Sequence, residues 1–287
     1  MTPGRGAGSA SLLRIWVEHA GHFHGMRGCD FTEERIPDQR QTRAEPGLDW
    51  RYSSEVRPRS IRLFGTGVLA LALAAAIAAQ TPGIHPISGR RFAPVMGYQG
   101  ADWLERTERD EEEAPDVALR VLNIPKGASV ADIGAGSGYI TEKLAARVGP
   151  TGMVFANDVQ PQMLEMLARR LEKKRISNVM LVQGTIDDPK LAPASVDLEL
   201  MVDVYHEFSR PQAMLRHLRE ALKPGGRLVL LEYRKEDPTI PIRPEHKMSV
   251  AEARMEVEAE GFTLSKVDEA LPRQHILIFV VNLTPNP

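Results

Sequence analysis

Val130–Ile140 reads VADIGAGSGYI: a short apolar run closed by Asp132, then glycines at Gly134, Gly136 and Gly138, then the start of a helical pattern. A glycine turn between a strand and a helix usually cradles phosphate on the helix N-terminus. Here a carboxylate stands just before the first glycine. At a few ångströms it would repel a pyrophosphate by several kcal/mol in a partly dry cleft, an order-of-magnitude figure. The spacing G-x-G-x-G also departs from the dinucleotide G-x-G-x-x-G. The turn therefore suits a ligand with positive charge and no phosphate, approached closely by backbone that lacks Cβ.

Around this turn, strand-like and helix-like runs alternate. SVADI, GMVFAND, VMLVQG, SVDLELMVDV and RLVLLEY read as five strands in order. Between them, helices are expected over 139–148, 161–174 and 211–222, the last stopped by KPGG. Pro161 suits a first-turn position. A further helix spans 249–260 and ends at Gly261, and FTLSKVDEA with HILIFVV form a final antiparallel pair. Ahead of the turn, one or two helices break near Pro115. The expected fold is α/β: a doubly wound, mostly parallel seven-stranded sheet, helices on both faces, with a C-terminal antiparallel strand pair. Ligands of such sheets bind beyond the strands' carboxyl ends, at the switch point.

Several further pieces recur in order from about residue 127 to 236. VFANDVQPQML puts Asp158 at the end of the second strand, VQGTIDD follows the third, and LKPGGRLVLLEY leads into the fifth. With VADIGAGSG these resemble the motifs of class I S-adenosylmethionine-dependent methyltransferases. The resemblance implies S-adenosylmethionine, a phosphate-free ammonium and sulfonium, as cofactor. It implies a cofactor site of Asp132, Gly134, Ala135, Gly136, Gly138, Asp158, Val159, Ile186, Asp187 and Asp203, with Asp158 taking both ribose hydroxyls. One departure is Thr185, where many relatives carry an acid after the third-strand glycine. Asp187 or Asp188 is the candidate replacement at the adenine.

Methyl transfer asks a protein for alignment, exclusion of water and, for some acceptors, a base. The fourth strand runs out as MVDVYHEF, where Asp203, Tyr205, His206 and Glu207 gather. His206 is the expected general base, since imidazole titrates near neutral pH; the competing reading is a helix cap or a main-chain bond. Glu207 is expected to orient it or bind the acceptor. The fifth strand adds Glu232, Tyr233 and Arg234, and His246 and His275 are candidates to converge on the cleft. Without H-E-x-x-H spacing, no metal is expected at His206, Glu207, His246 and His275.

Composition sets the limits. Of 287 residues 43% are hydrophobic, and a formal net charge of −2 gives no polycation for nucleic acid. A single cysteine, Cys29, excludes an intrachain disulfide and a cysteine-rich zinc site. A small-molecule acceptor is expected, with Tyr98 and Trp103 as walls; the fourth strand lacks the Asn/Asp-Pro-Pro-Tyr run of amino-methylating relatives. The rival readings are a nicotinamide-dependent oxidoreductase and a non-catalytic methyltransferase-like binding protein.

The domain plan is a methyltransferase domain over 101–282, a linker over 81–100, a signal-like or anchor segment over 63–80 and a disordered extension over 1–62. Arg57, Arg59 and Arg62 precede an apolar run from Leu63 to Ala79, about the lower length limit for a bilayer span. It points to export or membrane association, whereas the cofactor points to the cytoplasm. A natural start near Val56 would put this segment at the N-terminus and leave 1–50 out of the native product. His19, His22 and His24 read as a loose histidine cluster.

Overall fold

A computed structural model describes residues 83–282. The 1–62 extension, the 63–80 segment and the histidine cluster lie outside them. Among the described residues no helix is long and apolar enough to cross a membrane.

Seven strands form one sheet: β1 Ser129–Ile133, β2 Met153–Asp158, β3 Val179–Gln183, β4 Val196–Val202, β5 Leu222–Tyr233, β6 Phe262–Asp268 and β7 Gln274–Val281. Their order is β3-β2-β1-β4-β5-β7-β6. β1 to β5 pair in parallel and β7 runs antiparallel to both β5 and β6. The expected fold class is the one observed. The chain steps outward from β1 to β3, then returns to the other side of β1, so the switch point lies between β1 and β4.

The helices are α1 Ala101–Leu104, α2 Arg109–Glu113, α3 Pro115–Leu122, α4 Tyr139–Val148, α5 Pro161–Lys174, α6 Pro211–Ala221 and α7 Val250–Glu258. One core joins Leu119 and Leu122 of α3 and Leu144 and Val148 of α4 to Val130, Leu200 and Val229 of the sheet. The opposite face packs Leu215 and Leu218 of α6 and Val257 of α7 against Ile133, Met201 and Leu230. Strands covered on both sides read as near-continuous apolar runs, which is why they were visible in the sequence. α7 starts on a capping box, with the Ser249 hydroxyl accepting from Glu252 N and the Glu252 carboxylate accepting from Ser249 N.

Three local differences have physical reasons. KPGG does not separate α6 from β5; it bulges within the strand, whose pairing with β4 jumps from Val196↔Leu222 to Leu198↔Arg227. β4 stops at Val202 because Asp203 turns left-handed at φ +55°. Acidic and amide side chains tolerate that conformation better than most.

The third difference is Gly83–Gly100, the described part of the expected linker. Arg90, Phe92 and Ala93 are buried. Arg90 forks onto Glu256 of α7 at 2.8 and 3.0 Å, and His85 lies 3.2 Å from the same carboxylate. A buried bidentate pair fixes the segment to the domain, which therefore begins before residue 101.

Candidate active site

The carboxyl ends of β1, β2, β4 and β5 open into a cavity of about 600 Å³. Its floor is the glycine turn. Gly134 N and Ala135 N donate to Asn157 O at 2.8 and 2.9 Å, tying the turn to the end of β2. Gly134 and Gly136 take left-handed φ of +73° and +54°, and both line the cavity. Gly138 does not line it. Its φ is +94°, and a Cβ there would stand 2.1 Å from Leu167 Cδ1, so this glycine serves the close approach of α5.

Three carboxylates surround the floor. Asp132 is buried and accepts from Thr141 Oγ1 at 2.5 Å. Burial pushes its pKa up to about 6, opposed by the Thr141 bond and the nearby Arg109 charge. Asp158 accepts from Gly136 N at 2.9 Å and Gln160 N at 2.8 Å; burial raises its pKa against those bonds. Asp203 accepts from Gln274 Nε2 at 2.8 Å through Oδ2, while its buried Oδ1 has no partner. Burial holds this carboxyl well above the usual range, and the charges of Glu113 and Glu232 add to it.

Ala135, Val159 and Ile186 also line the cavity, and Ile186 is half exposed at 53%. Asp187 does not. It accepts from Thr185 Oγ1 and pairs with Arg210 at the surface, and Asp188 pairs with Lys190. Thr185 itself reaches the cavity, so neither acid stands where the adenine contact was expected.

The polar cluster after β4 is assembled from two turns and the end of β5. His206 and Glu207 sit on the short 3-10 turn Tyr205–Glu207, His246 on the turn Pro244–His246. His206 Nδ1 lies 2.6 Å from Glu232 Oε2, and its Nε2 lies 3.1 Å from His246 Nδ1. Glu232 of β5 is fully buried and also accepts from Tyr205 N at 3.0 Å. The residue orienting His206 is thus Glu232, and not Glu207. Glu207 accepts from Met96 N at 3.2 Å and stands 4.0 Å from His246. Burial pushes its carboxyl up to about 7 and, with the His206 charge, holds His246 below its usual value. His275 is elsewhere, between Glu269 and Glu236.

The sequence reading named Tyr233 and missed Arg109. Both line the cavity and meet on buried Glu113, at 2.9 and 2.8 Å. The charge run Asp110–Glu113 contributes Glu113 to the interior. The His206 carbonyl accepts from both Arg90 Nη1 and Ala93 N, at 2.9 and 3.1 Å, so the N-terminal segment holds the histidine from behind. Trp103 lines the cavity as expected, and Tyr98 does not.

Comparison with known proteins agrees with this architecture. Residues 130–226 match a family model described as a methyltransferase domain. The chain is 32% identical over 118 residues to the ubiquinone/menaquinone biosynthesis C-methyltransferase UbiE of Ectopseudomonas mendocina, covering 41% of this chain and 46% of that one. It is also 32% identical over 112 residues to a protein-L-isoaspartate O-methyltransferase of Methanothrix thermoacetophila, covering 38% and 50%. The chain therefore spans about half the length of the curated relatives it matches. A crystal structure of a SAM-dependent methyltransferase from Aquifex aeolicus superimposes with a TM-score of 0.62 at 25% identity, over 65% of this chain and all of that one. The methyltransferase match and this SAM-dependent structural neighbour imply S-adenosylmethionine as the cofactor. With the matched segment at its centre and this sheet around it, the chain carries a methyltransferase domain with the fold of the class I S-adenosylmethionine-dependent methyltransferases.

Proposed function

We propose that the protein transfers a methyl group from S-adenosylmethionine to an oxygen, nitrogen or carbon nucleophile of a small molecule. The observation that carries this reading is the partnerless buried Oδ1 of Asp203, a residue that lines the same cavity as Asp132 and Asp158 over a glycine turn. A buried carboxylate oxygen without a donor asks for a cation. The residues present fit the cofactor on that ground. Asp203 and Asp132 would offer negative charge to the ammonium end. Asp158, with Val159, would take the ribose, and Ile186 with Thr185 would flank the adenine.

When bound, S-adenosylmethionine supplies a methyl already activated on a sulfonium, displaced in line as the neutral thioether leaves. The protein's own part is alignment and proton handling. Nδ1 of His206 donates to Glu232, so in the neutral ring the lone pair is on Nε2, 3.1 Å from His246 Nδ1, and both histidines line the cavity. That nitrogen is our candidate for taking the acceptor's proton, a role typically worth about 10²–10⁴-fold. Trp103, Leu104, Phe208 and Ile242 give the cavity apolar walls that suit a small acceptor and exclude water.

Titration calorimetry with S-adenosylhomocysteine and, separately, NAD tests the reading. Binding of the first alone is expected. Binding of NAD alone would replace it with an oxidoreductase, and binding of neither with a non-catalytic fold.

A further inference from the structure

His206 Nε2, His246 Nδ1 and a Glu207 carboxylate oxygen all lie within 4.8 Å of one another. We propose that these three groups bind a divalent transition metal, zinc by preference, at the acceptor end of the cavity. Nothing in the spacing announced it, because the ligands come from two separate turns and not from one helix.

The geometry meets three requirements of such a site. Two imidazole nitrogens about 2.0–2.1 Å from one tetrahedral zinc stand about 3.3 Å apart. His206 Nε2 and His246 Nδ1 are 3.1 Å apart already. Two neutral imidazoles and one carboxylate are also the donor set of known catalytic zinc centres, which keep a fourth position open. Finally, a metal-binding histidine usually donates its other ring N–H to a carboxylate, which fixes the tautomer and strengthens the donor. Glu232 does this at 2.6 Å from His206 Nδ1 and is itself fully buried.

Glu207 Oε1 is 4.0 Å from His246 Nδ1, so the carboxylate closes by a modest side-chain movement. All three residues line the cavity, from which a fourth ligand would reach the metal. There the metal holds water or an acceptor oxygen and lowers its pKa. Nε2 of His206 is then a ligand, and the metal takes over activation of the acceptor. This last step rests on the methyl-transfer reading; metal binding itself does not.

The test uses the full chain, stripped with chelator and titrated with Co²⁺ as a spectroscopic probe, then with Zn²⁺ in competition. One Co²⁺ per chain with the intense visible bands of a four-coordinate site is expected, displaced by Zn²⁺. His246→Ala, at a partly exposed position, and the isosteric Glu207→Gln should each weaken binding at least tenfold. Full affinity in both variants, including metal held instead by His19, His22 and His24, overturns the proposal, as does absence of the bands. S-adenosylhomocysteine titration of the stripped protein keeps the two readings apart. Metal binding without it sinks methyl transfer alone, and the reverse sinks the metal site alone.

Discussion

The Nδ1 of His206 and the Oε2 of Glu232 are 2.6 Å apart, although the two residues are separated by 26 positions in the chain. β4 and β5 are neighbours in the sheet, and the turn after one strand lands beside the end of the other. Glu232 accepts two N–H donors, His206 Nδ1 and Tyr205 N, one on each oxygen. A glutamine has only one oxygen, so it cannot serve both.

Glu232→Gln is therefore expected to turn its amide nitrogen toward one of them. Facing His206, it would move the ring proton to Nε2 and occupy the lone pair proposed to act. Methyl transfer should fall roughly 10²-fold while S-adenosylhomocysteine affinity stays within about twofold. Nitrogen NMR of the labelled ring reports the tautomer directly. An unchanged rate would remove His206 from the reaction.

Asp132 links ligand binding and stability to pH in opposite senses. Its pKa rises on folding, so its contribution to stability is fully present below the unfolded value and is lost as pH rises through about 6. Above that, the fold carries a buried carboxylate at a cost on the order of 3 kcal/mol. Asp132→Asn should raise the melting temperature at pH 8 and leave it nearly unchanged at pH 4. The ligand's ammonium group is best met by the ionised form, so wild-type affinity for S-adenosylhomocysteine should increase from pH 5 to pH 8, and less so in the variant. A flat affinity profile in the wild type would contradict the charge argument.

Arg90→Met keeps the bulk of the side chain and strands the buried Glu256 carboxylate. Breaking one partner of such a pair costs about 3–5 kcal/mol. Denaturant unfolding should show that loss, whereas Arg91→Met at the exposed neighbouring position should stay within about 0.5 kcal/mol. Equal effects at the two positions would mean that the segment is not anchored through Glu256.

The fold was legible because it is written in local signals. Helices 139–148 and 161–174 have the bounds their apolar spacing and Pro161 indicate, and the central strands are near-continuous apolar runs. The cavity floor was legible for the same reason, since turn and strand ends are adjacent in sequence. What failed to show was distance. Glu232, Glu113 and Arg90 each meet a residue far along the chain, His206, Tyr233 and Glu256, and a charged letter does not say whether its partner is water or a buried side chain. Gly138 was legible as a turn residue but not as the seat of Leu167, because helix α5 meets it only in three dimensions.

Gln274 opens β7 and holds Asp203 from the far side of the sheet. The terminal hairpin thus does more than cover an edge: its register selects which side chain meets the Asp203 carboxylate. A slip of one residue would present Arg273 or His275 in place of the amide and turn alternate side chains to the wrong face. Changes near the end of the chain, remote from every glycine of the turn, should therefore tune how tightly the nucleotide-like ligand is gripped.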